Sequence, residues 1–459
     1  MRVPDGAVLQ TDLDQPVNIV GAGLAGALLA VMLMRRGRAV RLWDRRPDPR
    51  RSGIERGRSI NLALAARGIR ALEHARVIER IRPLLIPMRG RFIHERSGTA
   101  ALQPYGQRQD EVIYSVGRSA LNRVLIEEAA QHEDVTIRFD QNCLAAAPAT
   151  NRLRFRNEIS QGEYELPLAP AIAADGAGSV IRHSLAAAHL VVTNEEWLDH
   201  DYKELTIPPV NGRPALDPNA LHIWPRGGFM LIALPNTDAS FTATLFLSRE
   251  GPRSFAALPD SQAVRDFFLE EFPDAVPLIP DLTAEFQTHP TGQLGTVHTT
   301  PWNVGGQLLL LGDAAHAIVP FHGQGMNAAF EDCLELDSML DSHGGWESLF
   351  EAFQRARRPN TEAIADMALE NYLEMRQSVL DPGFVRRQAL ALELQRRFPD
   401  KFIPRYAMVS FHPEIPYAQA LRRGNVQEQI LLQLDAGTID FALASRLINE
   451  RLPALAPRS

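Results

Sequence analysis

A glycine-rich string, GAGLAG at residues 21–26, constrains the fold of this chain more than any other feature. Val17–Val20 before it is apolar and predicts a short buried strand. Ala27–Met34 after it is rich in Ala, Leu and Met and predicts a helix, and Ala39–Trp43 predicts a second strand. A strand–helix–strand unit with glycines at its first turn indicates a parallel α/β sheet that binds a dinucleotide.

The three glycines of this string have separate roles in such a turn. Gly21 allows the tight turn out of the strand, Gly23 lets the backbone approach a pyrophosphate, and Gly26 lets the helix lie against the strand. Asp44, 23 residues after Gly21, follows the second strand, where a carboxylate can accept hydrogen bonds from an adenosine ribose. The alternative interpretation is a glycine-rich turn that binds nothing.

Composition and charge exclude several classes of protein. The 459 residues are enough for about two to four domains with a substantial core. Lys and Arg number 48 against 55 Asp and Glu, so the chain lacks the basic surface that nucleic-acid binding needs. Two cysteines are too few for a disulfide framework or a Cys-rich metal site, and they fit a reducing compartment. We therefore expect a cytoplasmic protein that binds neither nucleic acid nor metal.

One segment resembles a membrane span by length alone. Pro16–Met34 is nineteen residues long and carries no charge. Its glycines and Asn18 interrupt the apolar run, and acidic residues precede it where a secretory signal would be basic. We expect neither a signal peptide nor a membrane segment.

Two further strings repeat the strand-then-turn pattern. LLLLGDAAHAIVPFHGQGMN at residues 308–327 predicts a strand, an aspartate turn at Asp313 and a new helix opening at residues 325–327. A carboxylate at Asp313 can bind ribityl hydroxyls, and the first N–H groups of that helix can face the pyrimidine edge of a flavin. AADGAGSVIRH at residues 173–183 places Asp175 after another short strand. The alternative is a second turn of the same kind with an internally satisfied aspartate.

The pattern of hydrophobic residues differs in the rest of the chain. Residues 221–246 alternate in polarity and predict an antiparallel sheet, and residues from 347 onward are mostly helical in pattern. Ser119 is predicted to be the N-cap of a helix that ends near Ala130. The arginine-rich run 45–58 is interpreted either as a solvated loop or as a cationic segment near cofactor phosphates.

These three strings, in this order, resemble the flavin-dependent aromatic hydroxylases, the single-component FAD monooxygenases. Other segments narrow the resemblance to the kynurenine 3-monooxygenase family, and it extends over residues 17–425. The segments are RSINLALAARG (58–68), MRGRFIH (88–94), LQPYG (102–106), ALHIWPRGGFMLIALPN (220–236), PFHGQGMN (320–327), MALENYLEM (367–375) and FIPRYAMVSF (402–411).

The resemblance implies an α/β fold with three parts. The first is a discontinuous FAD-binding domain of Rossmann-like, GR2 type, formed by residues 17–190 and 300–375. The second is an antiparallel-sheet substrate domain at residues 191–299, with contributions from 84–114. The third is a C-terminal helical region at residues 376–459, and residues 1–16 form a flexible N-terminal lead-in.

The resemblance also implies a cofactor site and a substrate site. The cofactor residues are Gly21, Gly23, Gly26, Asp44, Arg118, Asp175, Asp313, Gly325, Met326 and Asn327. Asp44 departs from the family's usual glutamate. For the substrate, Arg91 and Tyr105 would bind an amino-acid carboxylate, because a guanidinium pairs with it through two bonds and a phenol adds one donor.

The rest of the implied substrate site is polar at one end and apolar at the other. The other substrate residues are Met230, Ile232, Phe246, Pro320, Phe321, His322, Asn371 and Tyr406. Without the resemblance, the alternating strand residues Met230, Ile232 and Phe246 would be interpreted as ordinary core. Glu374 is interpreted either as a support of the pocket or as a solvated helix residue.

The implied activity is NADPH- and O2-dependent hydroxylation of L-kynurenine to 3-hydroxy-L-kynurenine through a flavin C4a-hydroperoxide. Because the cofactor carries the chemistry, no catalytic side chain is nominated. We also expect a homodimer. Two alternatives stay open: an FAD-dependent hydroxylase or halogenase of another aromatic amino acid, and a non-catalytic binding module on the same fold.

Overall fold

The computed structural model describes residues 13, 15–51, 61–168, 170–378 and 381–455, with side chains omitted at 377 and 378. Most of the predicted lead-in 1–16 and the second half of the arginine-rich run lie outside the described residues. The strands are β1 (Val17–Val20), β2 (Val40–Trp43), β3 (Asn61–Leu64), β4 (Ile86–Met88), β5 (Gly90–His94), β6 (Ala100–Pro104), β7 (Ile113–Gly117), β8 (Val135–Arg138), β9 (Gln141–Ala147), β10 (Arg152–Asn157), β11 (Glu163–Pro167), β12 (Ala171–Ala173), β13 (Val192–Ile207), β14 (Leu221–Pro225), β15 (Met230–Pro235), β16 (Phe241–Ser248), β17 (Thr291–Thr300), β18 (Asn303–Val304) and β19 (Leu308–Leu310).

The helices are α1 (Leu24–Arg35), α2 (Ala66–His74), α3 (Ile78–Ile81), α4 (Arg118–Ala129), α5 (Val180–Ala187), α6 (Ser261–Glu271), α7 (Leu282–Thr288), α8 (Asp313–His316), α9 (Gly325–Met339), α10 (Trp346–Leu373), α11 (Pro382–Arg397), α12 (Arg405–Phe411), α13 (Tyr417–Asp435) and α14 (Phe441–Arg451). Glu374–Ser378 continue α10 as a π-helical segment, a conformation often found near functional sites.

The first sheet has six strands in the order β18-β19-β12-β1-β2-β8. All neighbours in it pair in parallel except β18 and β19. Helix α1 is buried from Gly26 to Met34 because it lies between this sheet and helices α4 and α9. The uncharged run Pro16–Met34 is therefore strand and buried core helix. Within the described residues, no helix combines the length and apolar character needed to cross a bilayer.

The second large sheet has seven strands in the order β17-β13-β16-β15-β14-β5-β6. Its strands are antiparallel with one exception, because β14 and β5 pair in parallel. Two smaller sheets, β3-β7-β4 and β11-β10-β9, contribute to the same apolar cluster as the six-stranded sheet. The predicted fold class is confirmed, although the sheet predicted as antiparallel contains this one parallel pair.

The C-terminal part of the chain is helical, as the pattern from residue 347 predicts. Helices α11, α13 and α14 share one apolar cluster, and α12 packs with α10 in another. The prediction of Ser119 as an N-cap was wrong: α4 begins at Arg118, Gly117 precedes it, and no side chain caps it. The domain boundaries themselves stay a prediction.

Candidate active site

Three turns meet at one edge of the six-stranded sheet. Strand β12 pairs in register with β1 on one side and β19 on the other, so Val20, Ala173 and Leu310 lie side by side at the carboxyl ends. The turns that follow these strands carry GAGLAG, Asp175 and Asp313. The carboxyl edge of a parallel sheet is where nucleotide ligands bind, and this register brings the three predicted motifs together.

The glycine turn has room for a ligand at one position only. Gly21 has φ +105°, and a Cβ there would overlap the Ala174 carbonyl. A Cβ at Gly26 would overlap the Gly21 carbonyl, so α1 packs directly against the turn. A Cβ at Gly23, just before α1, would meet nothing within 4 Å. This open space beside a helix N-terminus fits a pyrophosphate.

Asp44 lies beside the same turn. Its buried carboxylate accepts hydrogen bonds from the Ala22 N–H at 2.8 Å and from the Arg46 guanidinium at 2.9 and 3.0 Å. The carboxylate therefore fixes the glycine turn from inside. A ribose hydroxyl would share its oxygens with Arg46.

The second turn carries the carboxylate of Asp313. Asp313 opens the four-residue helix α8 after Gly312, whose φ is +60°. Arg182 of α5 donates to the Ala314 carbonyl at 3.1 Å, and Asp332 of α9 accepts from the Gly312 N–H at 3.2 Å. Asp313 itself is partly buried, and among the described residues no side chain or backbone group pairs with its carboxylate. An acid held in this way suits a polyol such as a ribityl chain.

The start of α9 faces the same region. The N–H groups of Gly325, Met326 and Asn327 belong to the first turn of a helix and have no intrahelical acceptor. The Asn327 side chain is occupied, because its amide accepts from the Ala65 N–H at 2.9 Å and donates to the Ala63 carbonyl at 2.8 Å. The residue thus offers its backbone N–H, at the positive end of the helix dipole.

Two predicted cofactor residues are less clearly placed. Asp175 accepts from the Ile181 N–H at 3.4 Å inside its own turn, and burial raises its pKa. Its backbone N–H lies next to Gly21. Arg118 is exposed at the start of α4.

The predicted polar end of the substrate site forms one stacked group. Arg91 of β5 is buried, and its guanidinium lies 4.7 Å from the Tyr406 ring centroid and 5.9 Å from that of Tyr105. The two phenol rings stack with centroids 5.5 Å apart. The His322 ring also stacks on the Tyr406 ring, with centroids 5.1 Å apart. Residues from three distant segments therefore meet here: the β5–β6 hairpin, the loop before α9, and α12.

Electrostatics keep these groups in defined protonation states. Burial would lower the pKa of Arg91, but Tyr406 and Glu374 outweigh it and raise that pKa above its usual value. Burial raises the pKa of Tyr105 and of Tyr406, so both phenols stay protonated and can donate hydrogen bonds. The site thus combines one permanent cation with two neutral donors.

His322 is neutral. Burial, together with the nearby cations Arg91, Arg405 and Arg67, lowers its pKa to about 3. Its Nδ1 atom is buried without a hydrogen-bond partner in the described part of the chain. It can therefore exchange one hydrogen bond with a ligand but does not carry charge near neutral pH.

The apolar residues lie next to this group. Met230 and Phe246 on adjacent strands belong to one buried cluster with Phe321, and Ile232 packs against it. Phe321 stacks on Tyr372 with centroids 4.0 Å apart and lies 5.0 Å from Phe246. Pro320 is exposed at the start of this segment.

Asn371 connects the cluster to the loop before α9. Its Nδ2 donates to the Phe321 carbonyl at 2.6 Å. Segment 320–327 therefore joins both halves of the candidate site: Phe321 lies in the apolar cluster, His322 stacks on Tyr406, and residues 325–327 open α9. A substrate ring against this segment would lie beside a flavin at the helix start.

Two residues near the site, Asp332 and Arg182, were not assigned from the sequence, and a third, Glu374, was left with two interpretations. Glu374 is 3.3 Å from the Arg91 guanidinium, so it pairs with a predicted substrate residue and is not simply solvated. Asp332 and Arg182 hold the turn of Asp313. The signal for Asp332 was an acid between the apolar residues Phe330 and Cys333 of a helix, and such an acid is buried only with a partner.

A parallel sheet with these three turns, next to a second sheet that carries a buried aromatic cluster, defines the class of FAD-dependent aromatic monooxygenases. Residues 14–368 match the FAD binding domain family. Kynurenine 3-monooxygenase of Stenotrophomonas maltophilia (strain K279a) is 45% identical over 445 residues, 96% of this chain and 97% of the relative. The enzyme of the same name from Myxococcus xanthus (strain DK1622) is 45% identical over 442 residues, 95% of each chain.

The chain therefore belongs to the FAD binding domain family and, within it, to the kynurenine 3-monooxygenase family. The prediction of an FAD-dependent monooxygenase is confirmed. Solved structures show the same fold: the tetrameric form of 2-methyl-3-hydroxypyridine-5-carboxylic acid oxygenase has a TM-score of 0.66 at 19% identity, over 83% of this chain and 98% of its own. Tetracycline destructase Tet(51) has a TM-score of 0.61 at 16% identity, over 85% and 99%.

The glycine turn yields a matched pair of substitutions. Gly23→Ala should leave the fold intact and weaken FAD binding at least about tenfold, because its methyl group enters the space that fits the pyrophosphate. Gly26→Ala should destabilise the protein by about 1–3 kcal/mol, because its methyl group overlaps the Gly21 carbonyl. Thermal unfolding and FAD titration of the apoprotein separate the two effects. Unchanged FAD affinity in Gly23→Ala would remove the pyrophosphate from this turn.

The lowered pKa of His322 predicts acid sensitivity. An unfolded histidine binds a proton below about pH 6.5, whereas the folded one stays neutral until about pH 3, so stability falls as pH falls through this window. His322→Asn should be less stable than wild type at pH 7, and the difference should shrink by up to about 2 kcal/mol at pH 5. Chemical denaturation of the apoprotein measures this, with His132→Asn at an exposed position as the control. A pH-independent difference for His322→Asn would contradict the prediction.

Proposed function

We propose that this protein hydroxylates L-kynurenine at the 3-position, using NADPH and O2. The observation that carries the proposal is the buried Arg91 guanidinium, with two protonated phenols beside it, at the polar end of an aromatic cluster. This arrangement suits a molecule with an amino-acid carboxylate at one end and an aromatic ring at the other. The name that these relatives share, kynurenine 3-monooxygenase, supports kynurenine as that molecule.

Arg91 and Tyr105 would bind the substrate carboxylate, and Tyr406 would add a further donor. A guanidinium offers five N–H groups, so Arg91 can keep Glu374 and still bind a carboxylate. The Nδ2 of Asn371 is already bonded to the Phe321 carbonyl, which leaves its Oδ1 to accept from the substrate ammonium. Arg91 and the two phenols would thus bind the substrate carboxylate, and Asn371 would bind the substrate ammonium.

The apolar residues would hold the aniline ring and exclude water. Met230, Ile232, Phe246, Pro320 and Phe321 would contact the ring, and the Nδ1 of His322, which has no partner among the described residues, would share a hydrogen bond with a polar substituent. Because His322 is neutral and the amine already activates the ring, we assign no general base. The side chains would act by orientation.

FAD would be held by the glycine turn, Asp44, Asp313 and the first turn of α9. Bound FAD supplies the oxidation of NADPH and the activation of O2. The N–H groups of Gly325, Met326 and Asn327 would stabilise negative charge at the pyrimidine edge. The assignments of Arg118 and Asp175 to this site, and the domain boundaries given above, stay predictions.

Two further proposals concern the cell and the assembly. Both cysteines, Cys143 and Cys333, are buried and free, which supports a reducing compartment such as the cytoplasm. A homodimer is proposed as well, and light scattering of the purified holoenzyme tests it.

The proposed function is tested by aerobic NADPH oxidation with and without L-kynurenine. We expect L-kynurenine to accelerate oxidation and to yield a product heavier by one oxygen atom, with the new hydroxyl located by NMR. If L-kynurenine accelerates NADPH oxidation but hydrogen peroxide is the only product, L-kynurenine is an effector. The substrate is then another aromatic amino acid. Intact bound FAD without acceleration would overturn the substrate assignment.

Arg91 provides a second prediction. Arg91→Lys keeps the charge but loses the two-bond geometry, so the dissociation constant of L-kynurenine should rise about tenfold, and Arg91→Ala should raise it further. FAD affinity should stay unchanged, since Arg91 lies on the substrate side. Arg89→Ala, two residues away and exposed, is the control. Wild-type substrate affinity in Arg91→Ala would exclude Arg91 from the site.

A further inference from the structure

Two adjacent buried carboxylates on α9, Glu331 and Asp332, are not among the residues proposed to contact FAD or the substrate. Asp332 is 0% exposed and Glu331 is 8% exposed. Both bind Arg357 of α10: its Nε donates to Asp332 at 2.7 Å and its Nη1 donates to Glu331 at 2.7 Å. Apart from this shared arginine, the two carboxylates face different parts of the fold.

Asp332 faces the turn that carries Asp313. Its Oδ2 lies 2.6 Å from the Nε2 of His316 and 3.2 Å from the N–H of Gly312. Gly312 and His316 are the residues at the two ends of α8. One carboxylate oxygen therefore holds both ends of the turn whose first helical residue is Asp313.

Glu331 faces the C-terminal helical region. Its Oε1 accepts from Arg67 of α2 at 2.6 Å, and the Nε of Arg67 donates to the Val409 carbonyl of α12 at 3.1 Å. Glu331 makes no hydrogen bond to residues 312–316 in the described part of the chain. The two neighbours thus have the same charge, share one arginine and differ in what else they hold.

Both carboxylates are ionised in the fold. Burial alone would raise the pKa of Asp332, but His316 and Arg357 lower it overall. Burial would also raise the pKa of Glu331, and Arg357 and Arg67 lower it. Two carboxylates face two guanidiniums, so the cluster is compensated and neither acid needs a proton.

Helix α8 needs such an external contact. It has four residues, barely one turn, and a single helical turn is unstable by itself. Asp313 cannot fix the turn, because no described residue pairs with its carboxylate. The direction of that carboxylate therefore depends on what holds Gly312 and His316.

We propose that Asp332 is a positioning residue for the cofactor: by holding Gly312 and His316, it directs the Asp313 carboxylate toward the ribityl chain of FAD. The proposal rests on the assignment of Asp313 to the FAD site. It gives a buried charge that touches neither substrate nor cofactor a defined role in binding.

The neighbouring acid provides the matched control. Asp332→Asn and Glu331→Gln each remove one negative charge from Arg357, so both should lower the thermal midpoint of the apoprotein. Asp332→Asn should raise the dissociation constant of FAD about tenfold, whereas Glu331→Gln should change it by less than about twofold. Quenching of FAD fluorescence on titration of the apoprotein measures both constants without turnover.

Coupling to Asp313 separates positioning from general destabilisation. Asp313→Asn should weaken FAD binding, and adding Asp332→Asn to it should change the constant by less than about twofold, because Asp332 acts through Asp313. If Asp332→Asn does not fold, His316→Gln removes the other contact at the end of α8 without a change in carboxylate charge and should show the same coupling.

The outcomes are distinguishable. Unchanged FAD affinity in Asp313→Asn would overturn the assignment of the cofactor site on which the proposal rests. Weakened binding in Asp313→Asn, with equal FAD affinities in Asp332→Asn and Glu331→Gln, would overturn the positioning role alone. Additive effects of Asp313→Asn and Asp332→Asn on the free energy of FAD binding would also overturn the positioning role of Asp332.

Discussion

The side-by-side register of β19, β12 and β1 is the constraint on which the rest of the site depends. Because Val20, Ala173 and Leu310 end level with one another, three turns separated by long stretches of sequence open at one edge. The close contact of Gly26 with the Gly21 carbonyl then fixes where α1 begins relative to that edge. Because β12 is paired with both β1 and β19, its register sets the position of the glycine turn relative to the turn of Asp313.

Segment 320–327 connects the cofactor part of the candidate site to its substrate part. Its Phe321 packs among residues of the seven-stranded sheet, while Asn327 is tied to β3 and α2 by its side-chain amide. The segment thus packs against the seven-stranded sheet at one end and is hydrogen-bonded beside β3 at the other. The relative position of substrate ring and cofactor follows from one short stretch of chain, which is a stiffer arrangement than two independently folded halves.

The sequence predicts best what depends on local sterics. A glycine at a crowded turn leaves a signature in the sequence itself, so the turns of Gly21 and Asp313 could be found, and the resemblance supplied the substrate residues. Strand direction is different: alternation of polarity is the same in parallel and antiparallel strands, so the pairing of β14 with β5 was not predictable. The partners of Asp332 and Glu374 come from other helices and strands, and no local pattern encodes such contacts.

The electrostatics of the polar end favour an ionised substrate over a neutral aromatic compound. Arg91 is buried, and the carboxylate that it contacts in the described part of the chain, Glu374, is 3.3 Å away and partly solvent-exposed. A neutral ligand that filled the pocket would remove water from the guanidinium without supplying a new partner, and a buried charge without enough partners is costly. A carboxylate restores the lost hydrogen bonds with matching charge. Selectivity for an amino acid therefore arises as much from the penalty on neutral rings as from attraction to the correct one.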